Sequence, residues 1–170
     1  MMYKRKLNKR TNYKKRLSYL VSRKPRLVIR KSNTKLSAQI VEYAPNGDKT
    51  LVSTTSKHLI NFGYKGKLKN TPSAYLTGIL IAKKAQEKSI REVVPDIGFY
   101  APLKGSIVFA LIKGAKDGGL QIHLGEEIAP DEKRIQGSHI ELFIKEHHKN
   151  QDVEPLSKNI AEVKNKLLGK

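Results

Sequence analysis

Apolar residues along the chain recur first with a helical period and then with that of a strand. Tyr13, Leu17, Leu20 and Val21 stand at i, i+4, i+7 and i+8, behind a Thr11 or Asn12 able to cap a helix. The spacing predicts a short helix whose apolar stripe docks on the body while Lys14, Lys15 and Arg16 face outward. Lys24-Pro25 then breaks it. Three strand signals follow: Arg26 to Lys31 with its run Leu27-Val28-Ile29, Leu36 to Tyr43 with Leu36, Ala38 and Ile40 alternating against Ser37, Gln39 and Val41, and the Val- and Thr-rich Lys49 to Thr55. Of the two connectors, Pro45-Asn46-Gly47-Asp48 is the stronger turn signal, because Asn-Gly tolerates positive φ. The natural reading is an antiparallel three-stranded meander.

Residues 56–70 read as a loop with Gly63, Gly66 and four lysines. Thr71-Pro72 opens a helix with Thr71 as its cap; Tyr75, Leu76, Ile79, Leu80 and Ala82 form its buried stripe, and Lys83, Lys84, Glu87 and Lys88 face water. Val93 to Phe99 reads as a short strand. The run Ile107 to Ile112 fits strand or helix by period alone, but Ser106 before it and Gly118-Gly119 after it favour a helix over 107–115. Ser138-His139-Ile140-Glu141 is a capping box for a helix through His148. A last helix, Leu156 to Leu168, places Ile160, Val163 and Leu167 on one face. This order predicts an α/β fold. Its mixed sheet combines the meander with a parallel strand, reached by a right-handed crossover, and is covered by helices. Residues 1–24 form a basic N-terminal arm with a short helix, 25–137 an α/β core, and 138–170 a helical C-terminal extension.

Charge gives this scaffold a direction. All fourteen charged residues before Glu42 are Lys or Arg, within a chain of 34 basic and 15 acidic residues and net charge +19. Such a run repels itself and holds counterions until a polyanion displaces them, and nucleic acid gains most from that release. Residues 1–10 have no apolar period and are expected to order only on a partner. Tyr3, Tyr13 and Tyr19 interleave with the cations and offer faces for unpaired bases. No helix-turn-helix or finger signature is present, and a basic arm on a globular body suits folded RNA better than DNA.

Catalytic chemistry finds little support. Without cysteine there is no disulfide, thiolate nucleophile or Cys-based zinc site, which fits a reducing cytosol. No apolar run approaches the ~18 residues of a membrane span, and no apolar stretch follows the N-terminal basic residues as in a secretory signal. Gly66-Lys67 is followed by Leu68, and Asn61 stands where a phosphate-binding loop needs its first Gly. His58, His123, His139, His147 and His148 lack ligand spacing; the adjacent pair points about 100° apart on a helix. Only Asp96 and Glu42 are candidates for a two-metal nuclease site, which needs several converging acids. The residues therefore predict a binder with no catalytic group, metal or cofactor. A metal-dependent nuclease on a mixed-sheet scaffold and a general RNA chaperone are the alternatives.

Six segments in order carry a family resemblance: 24–33 (KPRLVIRKSN), 72–78 (PSAYLTG), 96–99 (DIGF), 105–110 (GSIVFA), 113–120 (KGAKDGGL) and 134–140 (RIQGSHI). Over residues 10–150 the chain resembles universal large-subunit ribosomal protein eighteen, the 5S rRNA-binding protein, in its archaeal form. The resemblance implies the α/β core, no enzyme activity, and a place in the large ribosomal subunit of the cytoplasm. It implies binding to 5S rRNA and attachment of that RNA to 23S rRNA in the central protuberance, beside neighbouring large-subunit proteins. Together with the charge pattern it makes the candidate rRNA-binding residues Lys4, Arg5, Lys6, Lys9, Arg10, Tyr13, Lys14, Lys15 and Arg16 of the arm, and Arg26, Arg30, Lys31, Ser32, Asn33 and Gln39 of the strands. Lys65 and Lys67 join them from the loop Gly63 to Asn70. Residues 138–170 resemble an extension of the archaeal and eukaryotic branch.

Overall fold

Strands β1 (Arg26–Lys31), β2 (Leu36–Glu42) and β3 (Lys49–Thr55) pair as the antiparallel meander that the three strand signals and their turns predict. β4 (Val94–Asp96) adds parallel to β1, so the sheet order is β3-β2-β1-β4. The computed structural model describes residues 12–147 and 155–169, the side chains of Glu126 and Lys145 excepted. β4 is shorter than the strand expected over 93–99, because Gly98 at φ 66 turns the chain out of the sheet. In β2, alternation breaks where both Ile40 and Val41 are buried. Ile40 pairs with Val52 and Val41 with Thr50, so Leu51 is an extra residue on β3 and a bulge re-aims the strand end.

The helices are α1 (Tyr13–Val21), α2 (Thr71–Gln86), α3 (Ile107–Asp117), the short α4 (Glu132–Ile135), α5 (Ser138–His147) and α6 (Leu156–Leu168). Helix, not strand, is the outcome for the ambiguous run at 107. Several local expectations are corrected. The loop expected over 56–70 begins with a 3-10 helix, Ser56–Phe62, whose start is capped when the Thr55 amide donates to His58 Nδ1 at 3.2 Å. The cap of α2 is Asn70 rather than Thr71: Asn70 Oδ1 accepts from the Ser73 amide at 2.8 Å, and Ser73 Oγ accepts from the Asn70 amide at 3.1 Å. At the start of α5 Ser138 does not occupy the cap position expected of it. Ser138 is already helical, and Glu141 instead accepts the Ser157 amide at 2.7 Å, tying α5 to the start of α6.

Every residue of α2 from Thr71 to Ala82 is buried, so the one-sided stripe expected of it is wrong. The helix is a wall shared by two hydrophobic clusters. On one side Ala74, Ile81 and Ala85 pack with Leu27, Ile29, Leu36 and Ile40 of the sheet and Leu111 and Ile112 of α3. On the other, Leu76, Ile79 and Leu80 pack with Leu59, Tyr64 and Ile135 and with Ile160, Val163 and Leu167 of α6. Glycine sets the crossing of α2 and α3: a Cβ on Gly78 would lie 2.1 Å from the Leu111 carbonyl oxygen, and one on Gly114 2.0 Å from that of Tyr75. Burial in the second cluster pushes the Tyr64 hydroxyl up to about 12, against a smaller lowering by its hydrogen bond to Asn70. No helix among the described residues is long and apolar enough to cross a membrane.

Candidate nucleic-acid interface

Since α2 and α3 cover one face of the sheet, the side chains of opposite parity project from the other. Leu27 and Ile29 point into the core, whereas Arg26, Val28 and Arg30 point away. The register sets Asp96, Val28, Gln39 and Ser53 in one row across all four strands. α1 lies beside this face, and with Gly98 and Phe99 the two enclose a groove of about 370 Å³.

The way α1 docks reverses the expectation from its apolar spacing. Leu17 and Val21 are 65% and 78% exposed, and the helix meets the body through its basic side. Lys15 Nζ donates to the Gly98 carbonyl at 3.3 Å, and Arg16 Nη2 pairs with Asp48 at 2.7 Å. The physical reason is the surface it meets, which offers carboxylates and a free carbonyl rather than an apolar hollow. Asn12 starts the helix, its side chain accepting the Lys15 amide at 3.1 Å. Lys14 stays exposed, Tyr13 and Tyr19 are half-buried, and Tyr19 lines the groove.

Arg26 also departs from its expected role. It is 5% exposed, and its guanidinium is shared between Asp96 Oδ2 at 3.0 Å and Asp48 Oδ2 at 2.7 Å. Its Nε is buried with no hydrogen-bond partner among the described residues. In this structure Arg26 is an internal pivot beneath the groove and does not present itself to a ligand.

Arg30 is different. Its side chain is 47% exposed, and it donates to the carbonyls of Asp96 at 3.0 Å and Ile29 at 2.7 Å while keeping a face to the groove. Lys31 at the end of β1 is exposed, as are Ser32 and Asn33 in the turn that follows. That turn is held by Ser32, whose Oγ accepts the Lys35 amide at 3.1 Å, and by the Tyr100 hydroxyl, which donates to the Lys31 carbonyl at 2.8 Å. Parallel pairing of β1 with β4 therefore brings two sequence-distant segments, 30–33 and 96–100, to the same end of the sheet. In open sheets the carboxyl ends of parallel strands are where ligands tend to bind.

Lys65 and Lys67 are not brought to this groove. Their loop is fixed by Asn159, whose Oδ1 accepts the Lys65 amide at 3.1 Å and whose Nδ2 donates to the Gly63 carbonyl at 2.9 Å, on the side of α2 that holds the second cluster. Lys4, Arg5, Lys6, Lys9 and Arg10 lie outside the described residues. Asp96, considered as a metal ligand from sequence, is 6% exposed and engaged by Arg26, Arg30 and the Gly98 amide. Glu42 is exposed at the other end of the sheet, in register with Lys49. Among the described residues no three acids or histidines are grouped as a metal would require.

Two participants escaped the sequence reading. Asp48 passed as a turn residue, though an acid beside Asn-Gly among so many cations is a partner in waiting. Phe99 passed as the end of a strand, although the Gly98 before it is a turn signal.

One family model, described as the ribosomal large subunit proteins 60S L5 and 50S L18, matches residues 1–95 of this chain. That is more than half of its 170 residues, running from the basic arm through α2 into β4.

Proposed function

The chain belongs to the family of ribosomal large-subunit proteins 60S L5 and 50S L18 and is thus a constituent of the large subunit of cytoplasmic ribosomes; we propose that it binds 5S rRNA there and joins it to 23S rRNA in the central protuberance. The observation that carries the reading is the open sheet face. The core covers one side of the sheet, and the other lines an open groove walled by α1, with Arg30, Lys31 and Asn33 at its carboxyl end. Arm and body divide the work. Residues 1–24 supply cations to phosphates, the core 25–137 presents a rigid surface that fixes register and shape, and α6, within the extension 138–170, buttresses α2. Lys65 and Lys67, remote from the groove, are positioned for a different stretch of RNA, which suits a protein that bridges two molecules.

The function is structural, not catalytic. Asp96, the acid a nuclease reading would need, neutralises two arginines instead. Titration of full-length protein with 5S rRNA over a salt series tests the proposal. If about six phosphates are neutralised, log K should fall against log salt with a slope of about −4 to −5. Deleting residues 1–24 should flatten that slope. Equal affinity for unrelated structured RNAs at matched salt would mean a general chaperone, and an unchanged slope after the deletion would put the phosphate contacts elsewhere.

A further inference from the structure

Phe99 is an aromatic ring standing 64% exposed at the rim of a charged groove, and the residues on either side of it are both held. The Gly98 amide donates to Asp96 Oδ1 at 2.8 Å, the Gly98 carbonyl accepts from Lys15 at 3.3 Å, and Tyr100 is bonded through its hydroxyl to the Lys31 main chain. Arg30 packs on the turn so closely that a Cβ on Gly98 would lie 3.0 Å from its guanidinium carbon. A ring on a loose loop loses freedom when it binds, whereas one on a clamped turn is already placed, so little ordering cost remains.

Resting on the rRNA-binding reading above, we infer that Phe99 is a stacking platform for one unpaired base of the bound rRNA, with Lys15 and Arg30 beside it serving that nucleotide's phosphate. The surroundings select this occupant over an apolar side chain from a protein neighbour. Apolar cover would strip water from the exposed parts of the adjacent cations and offer them no anion in return. A nucleotide brings a π face for the ring and an anion for the cations together, the combination by which single-stranded segments are recognised. The platform accepts any base, so identity is read by neighbours, of which Gln39 in the adjoining row has both donor and acceptor.

The test uses full-length protein and intact 5S rRNA at one fixed salt, with Phe99→Leu and Phe99→Tyr. Leucine keeps the bulk and loses the aromatic face, so affinity should drop about five- to hundred-fold. Tyrosine keeps the face and should bind within about twofold of the parent. The salt slope should be the same for all three, because stacking releases no counterions, and chemical probing should show one unpaired base gaining reactivity in the Leu complex alone. Leu binding as tightly as the parent, Tyr losing as much as Leu, or no base changing reactivity would each overturn the inference while leaving 5S rRNA binding intact. Failure of the unmodified protein to bind 5S rRNA overturns the parent reading instead.

Discussion

The carboxylate of Asp96 serves two arginines of different fates. Arg26 is sealed beneath the groove and Arg30 reaches its surface, yet both depend on the same acid, one strand away. Removing Asp96 leaves the buried Arg26 guanidinium with Asp48 as its one carboxylate and takes the acceptor from the Gly98 amide. An orphaned buried charge costs about 3–5 kcal/mol, and with Asp48 still in place Asp96→Ala should lower unfolding stability by about 3 kcal/mol, measured by urea denaturation. Asp96→Asn, which keeps an acceptor for the Gly98 amide, should lose less. A catalytic acid would behave otherwise, its loss leaving stability in place. The turn from Asp96 to Tyr100 depends on the same carboxylate, so the alanine variant should also weaken RNA binding through the displaced Arg30.

α2 and α3 cross with their backbones in contact, and two glycines make this possible. Added methyl groups at Gly78 or Gly114 would meet carbonyl oxygens at 2.1 and 2.0 Å, and main-chain atoms cannot swing away as side chains do. Gly114→Ala should destabilise by about 3 kcal/mol, at the upper end for overpacking, and lower the thermal midpoint accordingly. Gly125→Ala is the matched control: its Cβ would meet only Ile128 side-chain carbons, at 3.6 Å and beyond, so its stability should stay within about 0.5 kcal/mol. α1 is the opposite kind of element. It buries none of its residues and holds on through Lys15 and Arg16, so its docking should loosen with salt while the α2–α3 crossing does not.

At the scale of the whole molecule, the sheet-face groove and the second hydrophobic cluster lie on opposite sides of α2. The groove is on the sheet side, while α6 closes the second cluster with Ile160, Val163 and Leu167. Leu167 is 1% exposed, and Leu167→Ala should cost about 2–5 kcal/mol in unfolding free energy. Below the unfolding temperature the same variant should bind 5S rRNA with an unchanged salt slope. A slope that flattened would show α6 to carry phosphate contacts as well as packing.

Local pattern alone carried the elements a long way. The bounds of β1 and β3, the helix at 107 and the last helix at 156–168 follow from β-branched runs, helical spacing, caps and glycines, because those signals act between residues a few positions apart. The fourteen uncontested cations fixed the class of partner for a similar reason, since charge adds up wherever the chain goes. What only the tertiary structure decided is which cations remain available. Arg26 and Arg30 sit on the same strand face, and nothing within the strand distinguishes them. The difference comes from Asp48 and Asp96, 22 and 70 residues beyond Arg26 in the chain, which converge on it and leave Arg30 half exposed. The same holds for α1, whose apolar stripe promised burial until the surface it met proved polar. It holds also for Phe99, an ordinary strand end by sequence, made prominent because parallel pairing of β1 and β4 carries the 96–100 turn to the end of the sheet where Arg30 stands.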